Sequence, residues 1–487
     1  MKSYQIPSLT GCNNNRNFMK VLHLTASPFL GGPERVILDI VRSQIEYGFD
    51  VSSVIATFKE NGNCEQFLSE IHNAGLVGYV LDRDVPNFFG ALRDVINLLR
   101  REKIDLVCAH GHKSRFLGWI AARYVGIPIV GISHGWTWQD WKTSVYERID
   151  QWIHHRMDKV VCVSQGQADK VIKTGTNPNR VVVIYNAVDV ERFSEMSNWA
   201  NDTKSFPDKL TNEYNQTNTQ AILKSTKPDT ESQQTESQQH EAFVQEQNLS
   251  PTSAAAYFAR LVGYFDAVPE LLIGAAGRLS PEKGYDVLIE AVKILVDEEK
   301  ADNVEKNYCN DKYDDKNHEC TKSKLTFGLV LFGEGFTRAK LQKQIDEAGI
   351  SDRFKMVGFT SELDYFLPCF DVFVQSSRTE GFPCVNLEAM ASGLSVIATQ
   401  VGGVPEQIES GYDGILVPPN DPNAIATAIK SLIVDPTQRK KLGENARQSV
   451  KTKFTKNKLA KEYFNLFDQL HCRITKIAKA RKAKKDI

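Results

Sequence analysis

Short, continuous apolar runs alternate with longer amphipathic stretches along two separate parts of this chain, and few architectures accept that pattern. VLHLT (21–25), VSSVIAT (51–57), LVCAH (106–110), IVGIS (129–133), VVCVS (160–164) and VVVIY (181–185) read as strands, with helical segments such as ERVILDIVRSQIEYG (34–48) between most of them. Strands that are apolar throughout must be covered on both faces, and helical crossovers supply that cover, so a parallel sheet is predicted. The alternation resumes with LLIGAAG (271–277), FGLVLFG (327–333), FKMVGF (354–359), DVFVQSS (371–377), LSVIAT (394–399) and GILVPP (414–419), which predicts a second sheet of the same kind.

Between the two parts the pattern collapses. Residues 195–252 are rich in Asn, Gln, Ser and Thr, with TESQQ repeated in tandem at 230–239. Such a stretch buries too little apolar surface to offset chain entropy, so 195–268 is predicted to be a mostly disordered insertion, with AAAYFARLVGYF (254–265) as one amphipathic helix inside it. A second polar segment, 297–324, reads as a solvated loop. The expected organisation is thus a first domain over 19–194, a second over 269–436, helices over 437–470 and a basic tail over 471–487. In fold class this is α/β: two Rossmann-like parallel-sheet domains facing each other across a cleft.

Lys and Arg number 59 against 60 Asp and Glu, so no global field draws the chain to nucleic acid or to a membrane. The most apolar stretch, FLGWIAARYVGIPIVGIS (116–133), is interrupted by Arg123 and Pro128 and reads as a helix and a buried strand, not a membrane span. The Asn-rich start lacks the apolar core of a secretory signal. Nine scattered cysteines without paired spacing predict free thiols in a reducing compartment, hence a cytoplasmic protein.

Open α/β sheets bind ligands beyond the carboxyl ends of their strands, so the turns leaving those strands should carry the chemistry. In FLGGPERV (29–36), Gly31 and Gly32 let a ligand approach the backbone, although a plain tight turn explains the same pair. After Gly277, the loop RLSPEKG (278–284) holds Arg278 and Lys283, with Pro281 and Glu282 opening the next helix. Two cations beside a helix N-terminus suit a diphosphate without a metal; a solvated pair is the alternative. TEGFPCVNLEAMASG (379–393) places Glu380 at a strand end, then Gly381, Phe382 and Pro383 in a turn, then a helix from about Pro383 that carries Cys384, Val385 and Glu388. Carboxylates repel phosphate, so Glu380 and Glu388 are better explained as acceptors for sugar hydroxyls flanking it. The Gly-Gly turn lacks GxGxxG spacing and GEGFTR (333–338) lacks the third glycine, which argues against a nicotinamide dehydrogenase. Cys309, His318 and Cys320 do not have zinc-ligand spacing, and no metal is expected.

Glu380 and Glu388 match the Glu-x7-Glu signature of retaining, nucleotide-sugar-dependent glycosyltransferases of the GT-B fold, specifically the family-4 (group 1) type. GGPE, SHG (133–135), VSQG (163–166), YNAVDVERF (185–193), GRLSPEKG, LFGEG, VGF, EGFPCVNLEAMASG and GGVPEQI (402–408) follow in that family's order, so the chain resembles it over 19–194 and 270–470. The resemblance implies that Glu388 accepts hydrogen bonds from the donor's ribose and Glu380 contacts the transferred sugar. It further implies that backbone N–H groups near Phe382–Val385 hold the diphosphate opposite Arg278 and Lys283. His134 would sit beside the donor sugar, a core histidine bonded to backbone being the alternative. His110 and His112 would shape the acceptor pocket, Glu34 would orient the Gly-Gly loop, and Asn186 and Asp189 read as structural turn residues.

What the resemblance implies overall is transfer of a hexose from a UDP- or GDP-linked donor to a glycan or lipid-linked acceptor. The anomeric configuration would be retained, by front-face substitution, and neither metal nor other cofactor would be needed. The tail, with seven Lys/Arg after Leu470, reads either as a solubilising helix end or as a peripheral contact with anionic lipid. A nucleotide-sugar epimerase of the same fold and a non-catalytic sugar-nucleotide-binding scaffold are the competing readings.

Overall fold

The computed structural model describes residues 3–4, 18–26, 31–59, 64–84, 87–135, 141–193, 195–196, 257–258, 261–265, 269–312 and 327–483. Most of the 195–268 insertion, and its predicted disorder, therefore lies outside the described residues.

The first sheet comprises β1 (Ser3–Tyr4), β2 (Met19–Thr25), β3 (Val51–Phe58), β4 (Val77–Leu81), β5 (Leu106–His110), β6 (Ile129–Ser133), β7 (Lys159–Cys162) and β8 (Val181–Val183), in the order β1-β4-β3-β2-β5-β6-β7-β8. Seven strands are parallel, and β1 pairs antiparallel with β4 at one edge. The second sheet, all parallel, comprises β9 (Leu271–Ala276), β10 (Phe327–Phe332), β11 (Phe354–Gly358), β12 (Val372–Gln375), β13 (Ser395–Thr399) and β14 (Ile415–Val417), ordered β11-β10-β9-β12-β13-β14. Both domains thus have the GT-B form. Strand order reverses between β2 and β5 in one sheet and between β9 and β12 in the other, and a crevice opens at such switch points.

Alternation along each strand divides the core. Leu22, Leu24, Val107 and Ala109 face one layer of helices, while Val21, Leu106, Cys108 and Val130 face the other. That second face is closed by the last helix of the chain, Lys456–Ala483, through Leu459, Tyr463, Leu466, Phe467 and Leu470. The chain crosses between domains twice, side by side: Val188 N–H donates to Phe454 O (3.0 Å), and Val188 bridges to Thr455.

Several local expectations need correction. VGYVL (77–81) is a strand that the sequence reading passed over. Pro281 and Glu282 do not open the following helix: Pro281–Lys283 is a separate 3-10 turn, ended by Gly284 at φ +64. There a Cβ would also strike Ser376 O, so only glycine fits. The next helix, Tyr285–Lys312, runs well into the segment read as a solvated loop. The helix Lys456–Ala483 likewise continues through most of the segment read as a tail. Within 195–268, Tyr257, Leu261, Val262 and Phe265 are buried in the second domain's core, where Tyr257 stacks on Tyr365 (5.2 Å) and donates to Glu362 (2.9 Å). Cys64, Cys108, Cys162, Cys369, Cys384 and Cys472 are free thiols. Among the described residues no helix is long and apolar enough to cross a membrane.

Candidate active site

The loops leaving β9 and β12 meet first. Glu380 is fixed by three donors on one carboxylate oxygen: Lys283 Nζ (2.6 Å), Ser377 Oγ (2.7 Å) and Gln375 Nε2 (3.2 Å). Its Oε2 stays clear of these bonds. Lys283 thus stands in the site, on the 3-10 turn after β9. Arg278 is placed differently. Its guanidinium donates to Glu282 within its own loop (2.8 Å), and its side chain is 53% exposed. Gly277, at the end of β9, is tied by its N–H to Phe332 O (3.0 Å).

From Glu380 the chain turns through Gly381 and Phe382 into the helix Cys384–Ala391, capped by Pro383. At Gly381 the two domains come into close contact. A Cβ there would collide with His134 O of the first domain. Phe382 is buried between Tyr185 (5.0 Å) and Phe454 (5.4 Å), and its carbonyl accepts from Asn186 Nδ2 (2.8 Å). Its side chain therefore seals the domain junction, and Asn186, expected to be a turn residue, bonds across that junction. Asp189, expected likewise, pairs with Lys456 of the last helix (3.2 Å). Pro383 O is held by Gln407 Nε2 (2.9 Å). Cys384 and Val385 form the first turn of the helix; burial pushes the Cys384 thiol up, so it stays protonated. Glu388 follows one turn later. Burial raises its carboxyl, opposed by Arg35 of the first domain, whose Nη1 lies 3.6 Å from Glu388 Oε1.

On the opposite lobe, His134 follows β6. Buried Arg115 bonds the carbonyl of Ile132 and grips buried Asp150 at 2.5 and 2.7 Å, while Gln167 Nε2 donates to Ser133 Oγ (2.9 Å). The strand end beneath His134 is thereby locked. Burial lowers the His134 imidazole to about 3, so it is neutral, and its Nε2 is buried without a hydrogen-bond partner. An unpartnered buried nitrogen is costly unless a ligand satisfies it. His112 starts the helix His112–Val125 and reaches Asp150 (3.1 Å). Gly31 caps the helix Gly32–Glu46, and Glu34 Oε2 accepts from Gly31 N–H (3.1 Å); a Cβ on Gly32 would meet open space.

His110 lies deeper than a pocket-lining role requires. It is buried, with Nε2 3.3 Å from His23 Nδ1 and 3.5 Å from Cys108 Sγ, and its ring stacks at 5.9 Å on His134. His23, Cys108 and His110 have ligand atoms close enough to hold a metal ion. The surroundings do not suit one: all three are closed off from solvent, and the outer nitrogens, His23 Nε2 and His110 Nδ1, lack the partners that normally orient ligating histidines. Burial keeps both imidazoles neutral. They form a polar seam in the core behind His134.

Two contributors escaped the sequence reading. Glu406, in GGVPEQI, accepts from Gln165 N–H (2.7 Å) and Gly166 N–H (2.8 Å), capping the first domain's helix Gln165–Lys173 from the second domain. Arg35 stands opposite Glu388. FLGGPERV and GGVPEQI mark their segments, but not these two roles, since each partner lies on the other domain.

The sequence pattern describing glycosyl transferases group 1 matches residues 267–449, and that describing glycosyltransferase family 4 matches 30–192. Among similar proteins, the UDP-Gal:alpha-D-GlcNAc-diphosphoundecaprenol alpha-1,3-galactosyltransferase of Escherichia coli is 23% identical over 84% of this chain and 87% of its own length. The D-inositol 3-phosphate glycosyltransferase of Streptomyces bingchenggensis is 26% identical over 70% of this chain and 62% of its own. Among solved structures, Anabaena HepE in complex with UDP and glucose superposes with a TM-score of 0.64 at 19% identity, covering 93% of this chain and all of that one. Sucrose-phosphate synthase from Thermosynechococcus elongatus superposes with a TM-score of 0.64 at 16% identity, with the same coverage of this chain. With both domain patterns matched in order and both sheets in GT-B form, the chain belongs to the group 1, family 4 glycosyltransferases.

Proposed function

We propose that this glycosyltransferase moves a hexose from a nucleotide-diphosphate sugar to a glycan or lipid-linked acceptor, with retention and without a metal. The observation that carries the reading is one juxtaposition. Glu380, held rigid by Lys283, Ser377 and Gln375, stands at a turn whose next residue abuts His134, the histidine with an unsatisfied Nε2. A sugar between them would find a carboxylate acceptor on one side and a neutral imidazole on the other.

The first turn of Cys384–Ala391 has free N–H groups and the positive end of the helix dipole, which suits the diphosphate. As the glycosidic bond breaks, negative charge grows on the leaving phosphate, and Lys283, fixed beside Glu380, is a cation that would oppose it. With three donors neutralising one oxygen of Glu380, its carboxylate is a poor nucleophile whose clear Oε2 suits a sugar hydroxyl, and Glu388 is given to the ribose in this reading. Front-face substitution, with the leaving phosphate taking the acceptor's proton, fits this division of labour. UDP is favoured over GDP because Anabaena HepE was solved with UDP and glucose and the Escherichia coli relative is named for UDP-Gal. That relative's diphosphoundecaprenol substrate makes a lipid-linked acceptor the first to try. A lipid-linked acceptor would present its sugar at a membrane's cytoplasmic face, where the basic tail would dock.

The experiment is a melting-temperature panel of UDP-, GDP- and ADP-sugars, since a ligand bound only by the folded state raises the melting point. Sugar transfer from the stabilising donor is then followed in the presence of chelator, and the product's anomeric configuration is read by NMR. Inversion, or transfer that stops on chelation, refutes the mechanism.

A further inference from the structure

Glu388 is more sparsely held than Glu380. Among the described residues no hydrogen bond reaches its carboxylate, although the side chain is only 17% exposed. The charges facing it are Arg35, Asp39, Asp364 and Arg192. Arg192 is bound to Asp364, and Asp39 faces Lys456 at 3.5 Å. Asp364 thus has Arg192, Asp39 shares Lys456 with Asp189 and also feels Arg35 and Arg42, and Arg35 is the cation in ion-pair range of Glu388. It comes from the first turn of Gly32–Glu46, directly after the Glu34 that accepts from Gly31 N–H, so its base is firmly placed.

The separation of 3.6 Å is too long for a direct hydrogen bond and short enough for strong attraction. Both carboxylate oxygens therefore keep their acceptor sites, and the guanidinium keeps its donors. A diol entering here would complete both groups.

Resting on the reading of Glu388 as the ribose acceptor, we propose that Arg35 is a donor-site residue supplied by the first domain. It is the counter-charge that keeps Glu388 an ionised acceptor, and it links the nucleoside end of the donor to the opposite lobe.

The sign of the pH effect follows directly. Burial raises the Glu388 carboxyl, and Arg35 opposes that rise. Ribose binding is lost as pH falls through the Glu388 pKa, so removing Arg35 moves that loss to higher pH.

The test is UDP binding to the full chain by calorimetry between about pH 5 and 8. Arg35→Gln should weaken UDP about tenfold at neutral pH and move the acid limb up by about one unit. Arg35→Lys should restore most of the affinity. In a Glu388→Gln background, Arg35→Gln should have little further effect, and 2′,3′-dideoxy-UDP should bind wild type and Arg35→Gln alike. An unchanged acid limb, or an equal loss with Glu388→Gln already present, overturns the assignment. Failure of the wild-type chain to bind either UDP or GDP is a distinct result, which removes the ribose reading beneath it.

Discussion

Arg278 and Lys283 look equivalent in sequence, five residues apart in one loop, but the structure separates them. Lys283 Nζ lies 2.6 Å from Glu380 Oε1, with side chains 22% and 10% exposed. Lys283→Met keeps the aliphatic stem and removes the charge. A charge-assisted hydrogen bond in such surroundings contributes about 1.5–3 kcal/mol. At about 1.4 kcal/mol per tenfold in rate, the expected loss in turnover is about 10- to 150-fold. Ser377 and Gln375 still hold Glu380, so the loss should fall on kcat more than on donor KM. Arg278 is mostly exposed and paired with its neighbour Glu282, a setting worth about 0–1 kcal/mol, so Arg278→Met should cost about fivefold at most. Initial rates of transfer at saturating donor, with melting temperatures alongside, measure both. The reasoning fails if Lys283→Met stays within about threefold of wild type, or if Arg278→Met is the more damaging change.

Gly381→Ala should prop the domains apart at His134 and lower turnover by on the order of a hundredfold with circular dichroism unchanged; wild-type turnover would show that the contact is dispensable. Glu406→Ala removes the cap that clasps the two lobes, so small-angle scattering should report a larger radius of gyration; an identical curve would count against a clasp. His23 is wholly buried and lowered from 6.5 to about 3, so the unfolded chain binds the extra proton and stability falls as pH drops through that window. The slope is about 1.4 kcal/mol per pH unit for this group, and denaturant titrations at pH values across the window should find it shallower in His23→Gln.

What sequence could reveal follows from how far apart interacting residues lie along the chain. Parallel strands covered on both faces read as unbroken apolar runs, so most strands were legible, whereas β4 starts with exposed Val77 and a glycine and was not. The start of the second polar segment is polar enough to resemble a loop, but its Lys and Glu residues are good helix formers and Tyr285–Lys312 continues through them. Glu380 and Glu388 sit in one loop and its helix, so a single stretch of sequence, read with the motifs that flank it in order, marks both. Arg35 with Glu388, Glu406 with Gln165, and Asn186 with Phe382 are each joined only by the apposition of two domains. The loss of symmetry between Arg278 and Lys283 depends on where Glu282 and Glu380 end up in space, which spacing does not encode.

Covering the first sheet with Lys456–Ala483 sets the order in which the protein can be made. While a nascent first domain leaves the ribosome, the face bearing Val21, Leu106, Val130 and Val161 has only Val36 and Ile40 of Gly32–Glu46 to cover it, because the segment bearing Tyr463 and Phe467 is translated only after the entire second domain. That domain must mature beside an unfinished neighbour, and a transcript cut short before Lys456 would yield a sheet with part of one oily side bare, fit for a chaperone or a protease.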